Sequence, residues 1–105
     1  MRFVETPVFT KTVGMLLSDD EYRSLQSVLM LRPDQGALIR GTGGLRKMRW
    51  GGHGRGKRGG LRLIYYWDKT TETIYMLYVY AKTDQEDLTP QQCRLLSRLV
   101  REEFR

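Results

Sequence analysis

Apolar positions change period several times along the chain, and each change marks an element. Residues 2–6 alternate weakly and predict a short first strand, ended by Pro7. Phe9, Val13 and Leu16 recur at helical spacing, so 8–17 predicts a short helix that Gly14 weakens. Ser18-Asp19-Asp20-Glu21 is a capping box, with the Ser18 hydroxyl over the third residue's amide and Glu21 reaching back. Its three acids also suit the positive end of a helix. Tyr22, Leu25, Val28 and Leu29 then share one face until Pro33 stops the helix and Asp34-Gln35-Gly36 turns the chain.

From there the period shortens to two. Residues 37–39 are brief and apolar, and Gly41-Thr42-Gly43-Gly44 is a loop. Leu45–Trp50 alternates, with Leu45, Lys47 and Arg49 on one face and Arg46, Met48 and Trp50 on the other. Residues 61–67, rich in β-branched and aromatic side chains, predict a second strand, and Asp68-Lys69-Thr70-Thr71-Glu72 a hairpin turn. Strict alternation over 73–82 places Ile74, Met76, Tyr78, Tyr80 and Lys82 on one face of a third strand. Thr89-Pro90-Gln91-Gln92 opens a last helix with an apolar stripe of Leu95, Leu96, Leu99, Val100 and Phe104. The order is strand, helices, three-stranded antiparallel meander, helix. It predicts an α+β domain over 1–105, with helices laid on one face of a small twisted sheet.

Composition narrows the class. At 105 residues, 40% hydrophobic and 29% charged, the chain suits one modest core and argues against disorder. The apolar runs are far shorter than a membrane span, and Met1-Arg2-Phe3-Val4-Glu5 meets an acid and then Pro7 before a signal-peptide core forms. A lone Cys93 excludes an internal disulfide, and the expected location is the cytoplasm.

Charge adds a site. The net charge is +6, yet no acid lies between Asp34 and Asp68, a stretch that holds Arg40, Arg46, Lys47, Arg49, Arg55, Lys57, Arg58 and Arg62. Those eight cations leave about −2 for the rest of the chain, so the basic character is local. Ten of the eleven glycines fall within 36–60, which suits a flap that approaches a backbone closely.

The glycine loop offers two nucleotide-binding patterns, and neither holds. Gly54-Arg55-Gly56-Lys57-Arg58-Gly59 fits G-x-G-x-x-G, but a strand follows where a pyrophosphate needs a helix N-terminus. Gly51 to Lys57 fits G-x-x-x-x-G-K, but Arg58 stands where a Ser or Thr belongs. His53 is the single histidine and reads as an exposed loop residue. The carboxylates sit in helices and turns away from the basic region, so no metal or other cofactor is expected. There is no nucleophile, histidine and acid set either.

What remains is a cation cluster. In a meander, Arg62 falls across from Arg49, and the end of the third strand, with Tyr80 and Lys82, lies beside the start of the second. Lys47, Arg49, Arg62 and Lys82 then gather at one corner. A polyphosphate is the expected relief of that crowding. Of Tyr65, Tyr66, Tyr75, Tyr78 and Tyr80, most serve the sheet, and Tyr80 beside Lys82 is the one placed for RNA. Such a cluster suffices to cut RNA, which carries its own 2′-hydroxyl nucleophile. Arg and Lys stabilise the phosphorane, and a lysine crowded by like charges can act as general base.

Gly41-Thr-Gly-Gly-Leu-Arg-Lys-Met-Arg-Trp50, Gly56-Lys-Arg-Gly-Gly-Leu-Arg-Leu-Ile-Tyr-Tyr-Trp67 and Leu77-Tyr-Val-Tyr-Ala-Lys82 together resemble the RelE/HigB-like toxins of type II toxin–antitoxin systems, most closely the second-type HigB branch. The likeness extends to the Leu-Ser-Asp-Asp-Glu-Tyr helix start and to Asp87-Leu-Thr-Pro90. It implies a RelE-like fold, with N-terminal helices on one face of a small antiparallel sheet and a C-terminal helix. It also implies ribosome-dependent cleavage of mRNA in the decoding site, and a cognate HigA-like antitoxin whose helix-turn-helix domain would be the link to DNA. By motif, the catalytic positions fall on Lys47, Arg49, Arg62 and Lys82, and Arg46, Arg55, Lys57 and Arg58 would hold RNA, joined by Tyr80 from its place beside Lys82. Some RelE relatives carry a catalytic tyrosine near the C-terminus, whereas 84–105 has none. The general base is thereby open among Lys47, Lys82 and Tyr80. Two other readings are a ParE-like inhibitor of DNA gyrase and a non-catalytic RNA-binding module.

Overall fold

The computed structural model describes residues 1–51 and 60–104. Strand β1 (Arg2–Glu5) leads into helices α1 (Pro7–Leu16) and α2 (Asp19–Leu31). Strands β2 (Ala37–Leu38), β3 (Leu45–Trp50), β4 (Leu61–Asp68) and β5 (Thr73–Ala81) follow. Helix α3 (Pro90–Leu99) widens into a π-helical turn over Val100–Phe104. The five strands make one sheet in the order β1-β5-β4-β3-β2. The expected antiparallel meander is its centre. β1 differs, pairing parallel to β5 with Phe3 opposite Ile74, so the sheet is mixed.

Local chemistry starts the helices where the sequence placed them. The Ser18 and Glu21 capping box closes with two bonds of 3.1 Å. The Thr89 and Gln92 box closes at 3.1 and 3.0 Å. Thr6 caps α1 by accepting from the Phe9 amide, and it donates its own hydroxyl proton to the Leu77 carbonyl at 2.8 Å. That bond pins the β1–α1 corner to the middle of β5.

The helices do not share a face. Phe9, Val13, Leu17, Leu25 and Leu29 pack on one side of the sheet against Met48, Leu63, Tyr65, Ile74 and Met76. On the other side Val100, with Leu96, Leu99 and Phe104, packs on Leu45, Ile64, Tyr75 and Leu77. β4 and β5 are therefore covered on both faces, which is why 61–65 and 73–77 are buried without a break.

A register shift then rearranges β5. Ile64 pairs with Tyr78 and Tyr65 with Met76, leaving Leu77 as an extra residue, a β-bulge. The alternation inverts there. Ile74 and Met76 face α1 and α2, while Tyr78 and Tyr80 turn to the side of α3. The single face expected for 73–82 is thus split in two, and its second half joins the cations.

Candidate functional site

Pairing across β3, β4 and β5 builds the site. Arg49 lies opposite Arg62, and Arg62 opposite Tyr80, so all three share the α3 side. Lys47, two residues before Arg49, shares it by alternation. Lys82 follows β5, its amide held by the Gly60 carbonyl at 3.1 Å, and comes to the same corner because of the bulge. Lys47, Arg49, Arg62 and Lys82 line one open cavity of about 530 Å³, with Ala37, Glu86 and Asp87 completing its wall. The four expected catalytic positions are therefore brought together.

Their environments differ. Arg49 and Lys82 are exposed. Arg62 is only 7% exposed, and among the described residues its guanidinium finds one hydrogen bond, a long 3.3 Å contact from Nη1 to the Leu61 carbonyl. A guanidinium offers five donors in a planar fork, so most of its capacity is left for whatever enters the cavity.

The carboxylates are not all remote from the basic region. Lys47 Nζ donates to Asp87 Oδ1 at 3.0 Å across a separation of 40 residues. That hydrogen bond, the Leu88 amide and the nearby cations hold the Asp87 carboxyl below its ordinary value. The Asp87 side chain is still 64% exposed, so the pair is a surface ion pair worth about 1 kcal/mol at most. The sequence marked Asp87 only within the Asp87-Leu-Thr-Pro90 likeness and gave it no place at the site, because it sits in an unpatterned loop. Asp87 occupies a place beside Lys47 and Arg62 that suits one oxygen of a phosphate.

Tyr80 lies under the cavity, not in its lining. It is 5% exposed, tilted against Tyr78 at 5.6 Å, and its hydroxyl has no hydrogen-bond partner among the described residues. Burial, with the Asp87 charge beside it, pushes its phenol up to about 12. At neutral pH Tyr80 is a proton donor and not a base, and its ring offers no open face for a nucleotide base.

Arg46 faces the other way. Its Nη1 donates to the carbonyls of Asp34 and Gly36, each at 2.8 Å, and so holds the turn before β2. Arg55, Lys57 and Arg58 lie outside the described residues.

No family model matches the chain. Among solved structures it is similar to that of a free-state Escherichia coli toxin RelE mutant carrying two arginine-to-alanine changes. The TM-score is 0.57 at 16% identity, covering 81% of this chain and 86% of that one. The architecture is thus the RelE-like α+β fold.

Proposed function

We propose that the protein is the toxin of a type II toxin–antitoxin pair, of the second-type HigB branch, and that it cleaves mRNA in the decoding site of the ribosome. The observation that carries this reading is Arg62: a cation 7% exposed, with one long hydrogen bond among the described residues, lining a cavity shared with Lys47, Arg49 and Lys82. A site of that kind calls for a ligand with concentrated negative charge. The RelE-like fold supports the same reading and favours an antitoxin partner, here of the HigA-like helix-turn-helix kind.

In the proposed reaction the 2′-oxygen of the mRNA forms a bond to phosphorus, and the bond from phosphorus to the 5′-oxygen breaks. The 2′-proton passes to a base, and a proton is given to the leaving 5′-oxygen. Arg62 and Arg49 grip the phosphorane oxygens, where each well-aimed donor contributes about 10²–10³ in rate. With Tyr80 held protonated, Lys47 and Lys82 are the groups placed for the two proton transfers. The Lys47 bond to Asp87 opens at little cost when the scissile phosphate enters. Without a 2′-hydroxyl the chemistry cannot begin, so DNA is spared.

The test is induced expression in a bacterium with mapping of new mRNA 5′ ends, wild type beside Arg62→Ala. Ends inside translated codons, absent in the variant, are expected. Growth arrest without new ends would instead move the target to DNA gyrase.

A further inference from the structure

α3 carries a second basic surface outside the cavity of Lys47 and Arg62. Arg94 and Arg98 stand one turn apart on α3, and Arg101 follows in the π-helical turn and lines the same cleft, so the three form one row. All three are exposed. Arg40, from the turn after β2, meets the row, and with Thr42, Cys93 and Ser97 they line a cleft of about 240 Å³.

Several features separate this row from an ordinary solvated face. Among the described residues none of the four arginines has a carboxylate within ion-pair distance, although Glu102 and Glu103 come next in sequence. Like charges one turn apart oppose each other, so the row does not serve the helix that bears it. Besides the arginines, the cleft is lined by Gly41, Thr42, Cys93 and Ser97, with none of the large apolar or aromatic side chains that anchor a protein interface. The two clefts are joined by short stretches of chain. Ala37 of β2 lines the first and Arg40, three residues on, lines the second; Asp87 lines the first and Cys93, six residues on, lines the second.

We infer that the cleft of Arg40, Arg94, Arg98 and Arg101 is a second binding site for the RNA phosphodiester backbone, continuing the track that leaves the Lys47–Arg62 cavity. The inference rests on the RNA-cleaving reading above. Planar guanidinium forks match phosphate oxygens two at a time. At 1.5 Å per residue the row from Arg94 to Arg101 spans roughly 10 Å. That is the length of about three stacked nucleotides.

The experiment is fluorescence anisotropy with a labelled single-stranded RNA whose riboses are 2′-O-methylated and cannot be cut, titrated over a range of salt. It compares wild type, Arg62→Ala, and the triple variant Arg94→Ala, Arg98→Ala, Arg101→Ala. These three side chains are exposed, so their removal opens no core, and circular dichroism verifies the fold. Each lost phosphate contact flattens the salt dependence of log K by about 0.7, so the triple variant should flatten it by about 2 and weaken binding at low salt. Unchanged affinity and slope in the triple variant, with binding still weakened by Arg62→Ala, overturns the second site alone. Absence of salt-dependent RNA binding by the wild type overturns the RNA reading together with it. A polyglutamate probe adds a further arm. If the triple variant loses polyglutamate and keeps RNA, the cleft belongs to an acidic protein and the inference fails.

Discussion

At the scale of single residues the molecule keeps one charge where a hydrophobe would serve the fold better. Arg62 is the buried charged side chain among the described residues, and it has no ion pair there. Burying an unpaired charge costs the fold roughly several kcal/mol in desolvation, a cost that an apolar side chain of similar length avoids. Arg62→Met is therefore expected to raise the urea unfolding midpoint while lowering cleavage by about 10²-fold or more. A lower midpoint would mean that the guanidinium holds the structure and not a ligand. Asp87 is the opposite case, an anion among cations. Its depressed carboxyl contributes stability above the unfolded value near pH 4, and that contribution is lost as pH falls through the lower folded value. Because the pair is exposed, Asp87→Asn should cost under about 1 kcal/mol and abolish that acid-range dependence. The same change should tighten RNA binding at low salt by removing a competing anion, and weaker binding would show that Asp87 orients Lys47 for the ligand. Lys47, Arg49 and Arg62 were legible from alternation and from where they stand in the strands, whereas Lys82 was legible only as the end of the third strand, because its side depends on the bulge. Asp87 was not, because a loop has no period to say what its side chains meet.

At the scale of elements the bulge is the device that assembles the site. Without Leu77 as an extra residue, Tyr80 and Lys82 would lie on the face of Ile74 and Met76, under α1 and α2. Period two in the sequence cannot register a doubled position, since Leu77 and Tyr78 both suit a strand. The turn into β2, whose Ala37 lines the cavity, is held by another contact. Gly36 donates its amide to the Tyr65 hydroxyl at 2.9 Å, and that hydroxyl donates to the Pro33 carbonyl at 2.7 Å. A Cβ on Gly36 would stand 2.8 Å from the Tyr65 ring and 3.1 Å from the Lys47 carbonyl. Gly36→Ala is expected to destabilise by about 1–3 kcal/mol, as overpacking does, measured by thermal or urea unfolding. Tyr65→Phe, which leaves the buried Gly36 amide without its acceptor, should cost a similar 1–3 kcal/mol or so. A neutral result for both would show that the α2–β2 turn is not anchored there. The capping boxes and Pro33 stop were readable from local chemistry, whereas the parallel pairing of β1 was not. A four-residue strand carries too few positions to choose its partner.

At the scale of the whole molecule, the fold separates two duties. One face of the sheet is spent on α1 and α2, and the other is shared between α3 and the cations. The sequence showed the three helices but not which side each takes, because a sheet buried on both faces reads as a continuous apolar run. The local excess of positive charge is readable from sequence and should govern association. Four phosphate contacts from Lys47, Arg49, Arg62 and Lys82 predict a salt slope of about −3 for single-stranded RNA, and the arginine row of α3 would steepen it by about 2. A flat response would count against phosphate contacts altogether. The most direct measurement is in vitro. Purified protein is mixed with ribosomes programmed with an mRNA that is all ribose, or that carries one 2′-deoxy nucleotide immediately 5′ of the cut phosphate. Cleavage of the first at that position, leaving a 5′-hydroxyl end, and none of the second is expected. Equal cleavage of both would contradict a reaction in which the RNA supplies the nucleophile and the cationic corner of the sheet stabilises its charge.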